Sequence, residues 1–439
     1  MARAKKEASL TPEERLQAAL VPDWEWPYKL PENWCWLKLV ESFDNHTDSK
    51  KKIKQKDYLV KGKLAVVDQG QELIGGYTND VEKSYSGALP IVIFGDHTRC
   101  IKFVDFPFAQ GADGVKVLRP KPFYLPKAFY YALQSVNIPN LGYRRHFPLF
   151  NKFSIPLPPF AEQQRIVDRI ESLFVKLDEA KEKAQAVVDS FEIRKAAILH
   201  KAFTGELTAK WREEHGVGME SWEQCSLSDV CTVNPKKVDT KDLPDELEVS
   251  FFPMPALSEI YGEITDPQTR LLKEVRSGFT NFSEGDVVFA KITPCMENGK
   301  SAVVGKLVND IGYGTTEFFV LRCSDRLYNR FLYHLVRDKL FRDKAKAVMA
   351  GAVGQQRVPK RYLETYKLNL PKFNEQREIV RILDGSFVKE QQSQEAAEAV
   401  LDQIDLMKKS ILARAFRGEL GTNDPSEESA MELLKRTIL

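Results

Sequence analysis

The chain has 439 residues, 43% apolar and 29% charged, which suits a protein of two to four globular domains. Its longest apolar runs, such as Ala88 to Phe94, are too short to cross a bilayer, so no membrane association is expected. The charged start, Met-Ala-Arg-Ala-Lys-Lys-Glu, lacks the apolar stretch of a secretion signal and points to the cytoplasm. The formal net charge of +2 conceals a difference between regions: residues 31–157 hold 18 Lys and Arg against 12 Asp and Glu, whereas 222–370 hold 21 against 20. Only the first of these regions is clearly basic. The cysteines form no C-x-x-C pair and the histidines no zinc-binding spacing, so no metal site is expected.

In chain order, residues 1–30 read as an N-terminal arm. Residues 31–157 form a first mixed α/β domain, with strands at Leu64–Val67, Leu89–Asp96 and Val115–Leu118 and a helix near Lys127–Ser135. Residues 158–207 form a central helical spacer. Its apolar residues Ile166, Ile170, Leu173, Leu177, Ala180, Ala184, Val187 and Phe191 alternate steps of four and three, the pattern of a heptad seam. A continuous helix from Ala161 to Phe203 would run about 60 Å at about 1.5 Å per residue. Residues 208–221 read as a linker. Residues 222–369 form a second mixed domain, with strands at Gly285–Ile292 and Phe318–Leu321 and a helix near Asn329–Lys346. Residues 370–420 form a C-terminal helical spacer with seam positions Ile379, Leu383, Ala397, Val400, Ile404, Met407 and Ile411, interrupted by Ser386, Glu390 and Ser393. Residues 421–439 are a tail.

Residues 157–207 align without a gap to 370–420, with 23 identities in 51 positions. Leu157-Pro158-Pro159-Phe160-Ala161-Glu162-Gln163 matches Leu370-Pro371-Lys372-Phe373-Asn374-Glu375-Gln376, and both copies close on Gly-Glu-Leu. Such a repeat marks an internal duplication. The globular regions correspond more weakly, Trp34 and Leu39 preceding Trp222 and Leu227 by 188 residues. Two related helices with apolar seams are natural partners for each other, and burying both seams contributes on the order of ten kcal/mol before entropy. Packing of each helix on its own globular neighbour fits a narrow seam less well. The expected fold class is therefore α+β: two mixed α/β domains separated by two long antiparallel helices, with pseudo-twofold internal duplication.

Motifs for catalysis fail on inspection. Leu157-Pro158-Pro159-Phe160 resembles the loop that amino-group DNA methyltransferases use, but its first residue has no side-chain oxygen to accept from the target amine. Gly299-Lys300-Ser301 lacks the glycine that a P-loop needs five positions earlier, where Pro294 stands. No glycine-rich loop for a dinucleotide or methyl donor occurs. Features suited to DNA do occur. Lys50, Lys51, Lys52 and Lys54 offer charge to phosphates, although a solvated loop has the same composition. Tyr143-Arg144-Arg145-His146 and Gly354-Gln355-Gln356-Arg357 precede the two Leu-Pro helix starts at similar distances, and Arg and Gln can bond guanine and adenine edges in pairs. Lys360 just beyond the second group belongs to the same candidate surface.

Over nearly its whole length the sequence resembles the specificity-subunit family of type I restriction-modification enzymes. The strings that carry the resemblance are Phe94-Gly95-Asp96-His97-Thr98-Arg99, Gly111-Ala112-Asp113-Gly114, Phe289 to Lys300, Gly314-Thr315-Thr316-Glu317-Phe318, the two Glu-Gln helix starts and the Gly-Glu-Leu ends. The resemblance implies two target-recognition domains, each reading half of a split site in double-stranded DNA, with Arg99, Lys291, Lys300, Thr315 and Thr316 among the contacts. It implies that the paired helices set the gap and bind two methyltransferase (M) subunits, and that motor-nuclease (R) subunits join for cleavage. S-adenosylmethionine, ATP and Mg2+ would then belong to those partners, with no cofactor and no catalysis in this chain. Two other readings are a stand-alone DNA methyltransferase and a coiled-coil scaffold that binds only proteins. The first predicts binding of S-adenosylmethionine by the chain alone, the second no salt-dependent DNA affinity in any assembly.

Overall fold

A computed structural model describes residues 11–259, 262–352 and 354–438; the first ten residues of the N-terminal arm and the last of the tail lie outside the described residues. Two compact units emerge, one comprising the described residues up to Ala184 and from Ala399 onward, the other Gln185–Glu398. The boundary cuts through both helical repeats, so each unit owns one globular domain and half of each long helix. This differs from the expected division into separate globular and helical segments. No helix among the described residues is long and apolar enough to cross a membrane.

The first unit opens with helix α1 (Pro12–Ala19), whose N-cap Thr11 and Glu14 bond each other's backbone N–H groups. Its strands are β1 (Cys35–Lys38), β2 (Phe43–Asn45), β3 (Leu64–Val67), β4 (Gly76–Thr78), β5 (Ile91–Gly95), β6 (Ile101–Val104), β7 (Phe108–Gln110), β8 (Val115–Pro120) and β9 (Ser154–Leu157), with helix α2 (Pro126–Ser135) before the last. The order β2-β8-β5-β6 makes an antiparallel sheet, β4-β3-β7 a second sheet in which β3 and β7 run parallel, and β1 pairs antiparallel with β9. Alternation along β5 and β8 decides the packing. Ile91, Ile93, Val115 and Val117 face a core with Val67, Val104 and Phe108, while Val92, Phe94 and Leu118 face Ala128, Phe129, Ala132 and Leu133 of α2.

Helix α3 (Phe160–Asp189) is followed by α4 (Phe191–Thr204). The expected continuous helix is thus divided at Ser190, whose backbone opens to the edge of the helical region (φ −88°, ψ −2°) and whose hydroxyl donates to the carbonyl of Ala186. Gly205 then ends α4 in the left-handed region at φ +84°. The expected linker is folded, carrying α5 (Ala209–Glu214).

The second unit repeats the plan with β10 (Glu223–Ser226), β11 (Cys231–Val233), β12 (Glu248–Phe252), β13 (Gln268–Leu271), α6 (Leu272–Val275), β14 (Thr280–Phe282), β15 (Val287–Ala290), β16 (Ser301–Val303), β17 (Gly312–Gly314), β18 (Phe318–Cys323), α7 (Asn329–Arg337), α8 (Lys339–Ala347), α9 (Lys360–Thr365) and β19 (Lys367–Leu370). Its sheets, β11-β18-β15-β16, β13-β12-β17-β14 and β10-β19, correspond to those of the first unit, including one parallel pair, β12 with β17, but the mixed sheet gains a fourth strand, β14. The single helix expected near 329–346 is two, because Asp338 leaves the helix and caps α8 through the N–H of Phe341. Helix α10 (Phe373–Ala415) and the short α11 (Ala430–Ile438) complete the chain.

The long helices meet in both units. In the first, Ile166, Val167 and Ile170 share a core with Leu412, Ala415 and Phe416, and Asp178 pairs with Lys408. In the second, Leu199 and Ala202 share a core with Ile379, Val380 and Leu383, and Arg194 pairs with Glu390 at 2.7 Å. The order of contacts is antiparallel each time. The seam is deepest near the helix starts, where domain residues close over it; farther along, Leu173, Leu177, Val187 and Ile411 are half-buried, while Ala184, Phe191, Ala397 and Ile404 are buried. Val400 and Met407, expected in the seam, are exposed. They form one of the two seam rows, while Ala397 and Ile404 of the other row are buried, so only one row of this stretch is covered.

Candidate nucleic-acid interface

In the first unit three separated segments converge. The β5–β6 turn contributes Asp96, His97 and Arg99, the β7–β8 connection contributes Gly114, and the loop before β9 contributes Tyr143 to His146. Asp96 is buried and organises them: its N–H donates to the carbonyl of Gly114 at 2.7 Å, its carbonyl accepts from the N–H of His146 at 2.8 Å, and its carboxylate accepts from the N–H of Phe147 at 2.7 Å. His146, expected on the DNA-contacting loop, is instead fully buried. Its Nδ1 donates to the carbonyl of Asp96 at 2.9 Å and its Nε2 accepts from the N–H of Leu141 at 3.1 Å, so neither nitrogen remains for a ligand. Arg99 is likewise turned inward, donating to the carbonyl of Ile138 at 3.0 Å.

Tyr143 is 86% exposed and stacked on His97, with ring centroids 4.9 Å apart. Arg144 and Arg145 are exposed and their side chains make no hydrogen bond or ion pair among the described residues. The lysine run lies in the β2–β3 loop, anchored by buried Ile53. Lys51 donates to the carbonyl of Ser84 at 3.1 Å, while Lys50 and Lys54 are exposed and Lys52 half-buried. A fourth limb escaped sequence reasoning, the Asp68-Gln69-Gly70-Gln71 loop after β3. Asp68 lies 3.6 Å from the Nζ of buried Lys102, and Gln69 Oε1 accepts from the N–H of His97 at 3.2 Å. Burial holds Lys102 below the ordinary lysine range, with Asp68 opposing that shift.

The second unit assembles the corresponding segments. Val358 donates to the carbonyl of Lys291 at 2.9 Å, Thr293 to that of Gln356 at 3.0 Å, and Lys291 to that of Glu317 at 2.9 Å, joining the β15–β16 turn, the β17–β18 connection and the loop before α9. Arg357 is engaged by Glu317 through three bonds of 2.8 to 3.2 Å, and that arginine holds the Glu317 carboxyl below the usual range. Lys300 is mostly buried, donating to the carbonyl of Met254 at 3.4 Å and lying 3.7 Å from Glu259. The Thr315 hydroxyl accepts from the N–H of Glu317, Lys291 lies over the Phe319 ring, and Lys360 pairs with Glu364 at 2.9 Å. Gln355 and Thr316 are exposed and Gln356 half-buried, with neither glutamine side chain bonded among the described residues. Thus the first surface presents unpaired arginines, while the second presents amides and hydroxyls. Among the described residues no group of three or more His, Cys, Asp or Glu is placed to hold a metal ion.

A family model described as "Type I restriction modification DNA specificity domain" matches residues 31–188 and 219–398. The chain belongs to the type I DNA-specificity family. Related sequences include the type I restriction enzyme EcoEI specificity subunit of Escherichia coli, 32% identical over 259 residues, covering 49% of this chain and 43% of that protein. The EcoAI specificity subunit of Escherichia coli is likewise 32% identical, covering 49% of this chain and 44% of its own. In these alignments the chain spans less than half the length of its relatives. The crystal structure of the HsdS subunit from Thermoanaerobacter tengcongensis shares the fold, with a TM-score of 0.56 at 19% identity over 90% of this chain and 100% of that one.

For a specificity-family chain, the repeated Glu-Gln acquires a clear physical role: it mounts each domain on its helix. Glu162 accepts from the indole N–H of Trp34 at 2.7 Å, as Glu375 does from Trp222 at 2.9 Å. Gln163 accepts from the N–H of Leu125 and donates to the carbonyls of Phe123 and Pro158; Gln376 does the same with Tyr328, Arg326 and Pro371. Beyond each Gly-Glu-Leu, a threonine hydroxyl, Thr422 or Thr208, donates to the corresponding glutamate. The copies differ in charge. Glu375 pairs with buried Arg212 at 2.7 Å, whereas Arg165 pairs with Glu427 and Glu162 keeps only neutral donors. Burial accordingly raises the Glu162 carboxyl above the usual range, opposed by its bonds from Trp34 and Thr422.

Proposed function

We propose that this chain is the non-catalytic, sequence-reading subunit of a type I restriction-modification complex, recognising a split site in double-stranded DNA and directing adenine N6 methylation and restriction by its partners. The observation that carries this reading is the pair of matching loop clusters, built on the same strand connections in both units but armed with different chemistry. One scaffold carrying two sets of base-reading groups suits two unlike half-sites. The long helices fix the gap between those half-sites.

Exposed apolar positions on the helices support a duplicated partner. Val175 and Val388 occupy equivalent repeat positions and are 57% and 56% exposed; Ile193 and Leu406 are a second equivalent pair, 72% and 64% exposed. Each unit holds one member of each pair, so the chain offers the same apolar features twice, as two copies of one methyltransferase subunit require. Motor-nuclease subunits join for cleavage, and the partners bring S-adenosylmethionine, ATP and Mg2+ in the cytoplasm. The test is binding of the chain co-purified with its methyltransferase subunits to a random duplex library. Enrichment of a split motif, with affinity falling steeply as salt rises, is expected. Enrichment of no motif would overturn the reading in favour of a protein scaffold, and methyl transfer by the chain alone would favour a stand-alone enzyme.

A further inference from the structure

His97 is the hub of the first unit's loop cluster. Its Nδ1 lies 3.1 Å from the carbonyl oxygen of Tyr143. A carbonyl oxygen only accepts, so Nδ1 carries the proton and Nε2 of the neutral ring is left as an acceptor. Nε2 makes no hydrogen bond to any of the described residues and is open to solvent.

The residue and its turn are held from several sides. Tyr143 stacks on it at an interplanar angle of 17°, the His97 N–H donates to Gln69 Oε1, and the Thr98 hydroxyl donates to the Gln69 carbonyl at 2.6 Å. Gly114 makes this possible: a Cβ there would stand 2.8 Å from His97 Cδ2 and 2.7 Å from Gln69 Oε1, and its φ of +76° favours glycine independently. The neighbouring Arg144 and Arg145 can only donate. A fixed, outward acceptor beside them complements an exocyclic amino group, which adenine N6 and cytosine N4 present in the major groove.

We propose that His97 is a specificity-determining residue for the first half-site, its Nε2 accepting a hydrogen bond from the exocyclic amino group of an adenine or cytosine while Tyr143 fixes the ring. This inference rests on the DNA-reading function proposed above. The test uses the chain assembled with its methyltransferase subunits. Motifs are mapped for the wild type and for His97→Ala, and binding is then measured to cognate duplexes in which single adenines or cytosines of the first half-site are replaced by purine or 2-pyrimidinone, which lack the amino group. One replacement should weaken the wild type about five- to tenfold, the worth of one hydrogen bond with an unpaired acceptor, and leave His97→Ala binding unchanged. Purine identifies adenine as the partner, and 2-pyrimidinone identifies cytosine. His97→Ala should relax that same position and no position of the second half-site. Because the replacements are also read with the unaltered protein, a folding defect in the variant does not decide the outcome. The proposal is overturned if no replacement weakens the wild type more than twofold, or if both proteins respond alike. Absence of any split motif would instead sink the DNA-reading function itself.

Discussion

The same substitution at equivalent places in the two repeats should have unequal effects. Glu375→Gln removes the anion that neutralises Arg212, a guanidinium whose remaining partners are the Thr208 hydroxyl, the Gly205 carbonyl and the Trp222 ring, none of them an anion. With Arg212 only 7% and Glu375 1% exposed, the orphaned charge cannot reach water. Breaking such a pair costs about 3 kcal/mol, on the order of 8 °C in melting temperature for a unit of roughly 200 residues. Glu162→Gln leaves no cation stranded, because Arg165 already pairs with Glu427, and should change stability by less than about 1 kcal/mol. Its sign depends on pH. Burial raises the Glu162 carboxyl, so the folded chain holds that proton more tightly than the unfolded one, and the associated stability, complete in acid, is lost as pH rises through the raised value. Glutamine mimics the protonated form throughout, so Glu162→Gln should gain on the wild type from acid toward neutral pH and then level. Hydrogen exchange followed separately in residues 160–170 and 199–215 reads each unit. Equal destabilisation by the two variants, or a Glu162→Gln difference that does not change with pH, would refute the reasoning.

Other consequences follow from the unequal surfaces and the matching apolar features. Arg144→Ala with Arg145→Ala should reduce the slope of log affinity against log salt by roughly 2, at about 0.9 per phosphate contact, while Gln355→Ala with Gln356→Ala should alter base preference and leave the slope unchanged. Titrations at several salt concentrations distinguish them. Asp at Val175 and Leu406 should release one methyltransferase copy, and Asp at Ile193 and Val388 the other, read as the loss of one subunit mass by native mass spectrometry. Release of both copies by either double variant would contradict two equivalent sites. Four residues inserted after Glu179 and after Gln392 lengthen each helix by about 6 Å and should widen the DNA gap by about 2 base pairs. A gap of unchanged length would show that the helices do not set it.

The duplication was legible because 51 consecutive positions keep one phase, and helical periodicity states which face is buried. Ser190 gave no warning of a break, since serine is ordinary in a helix and its hydroxyl can bond the carbonyl four residues earlier in straight and bent helices alike. The shared sheet topology was invisible: apart from Trp34 and Trp222, sequence correspondence between the domains had faded, while the strand order persisted. The candidate surface was half readable. Tyr143 to His146 and Gln355 to Arg357 were singled out by composition and position, but composition cannot tell which side chain of a loop turns inward. Tyr143, Arg144 and Arg145 turn out, while His146 is the buried pin. Arg357 looks free until Glu317 is brought beside it from 40 residues away. His97 lay in a family-like string but was not singled out, and Gln69 lay in none, because their relation exists only once the β3 loop and the β5–β6 turn are adjacent.

Two domains that each choose half of one DNA site form the core of this account, and sequencing of N6-methyladenine tests it most directly. Genomes should be compared in cells carrying the methyltransferase subunits with this chain, without it, and with residues 31–157 replaced by the equivalent domain of a relative. The account predicts a split methylated motif that vanishes with the chain and changes in one half alone after the exchange. Methylation that persists without the chain, or an exchange that rewrites both halves, would contradict it.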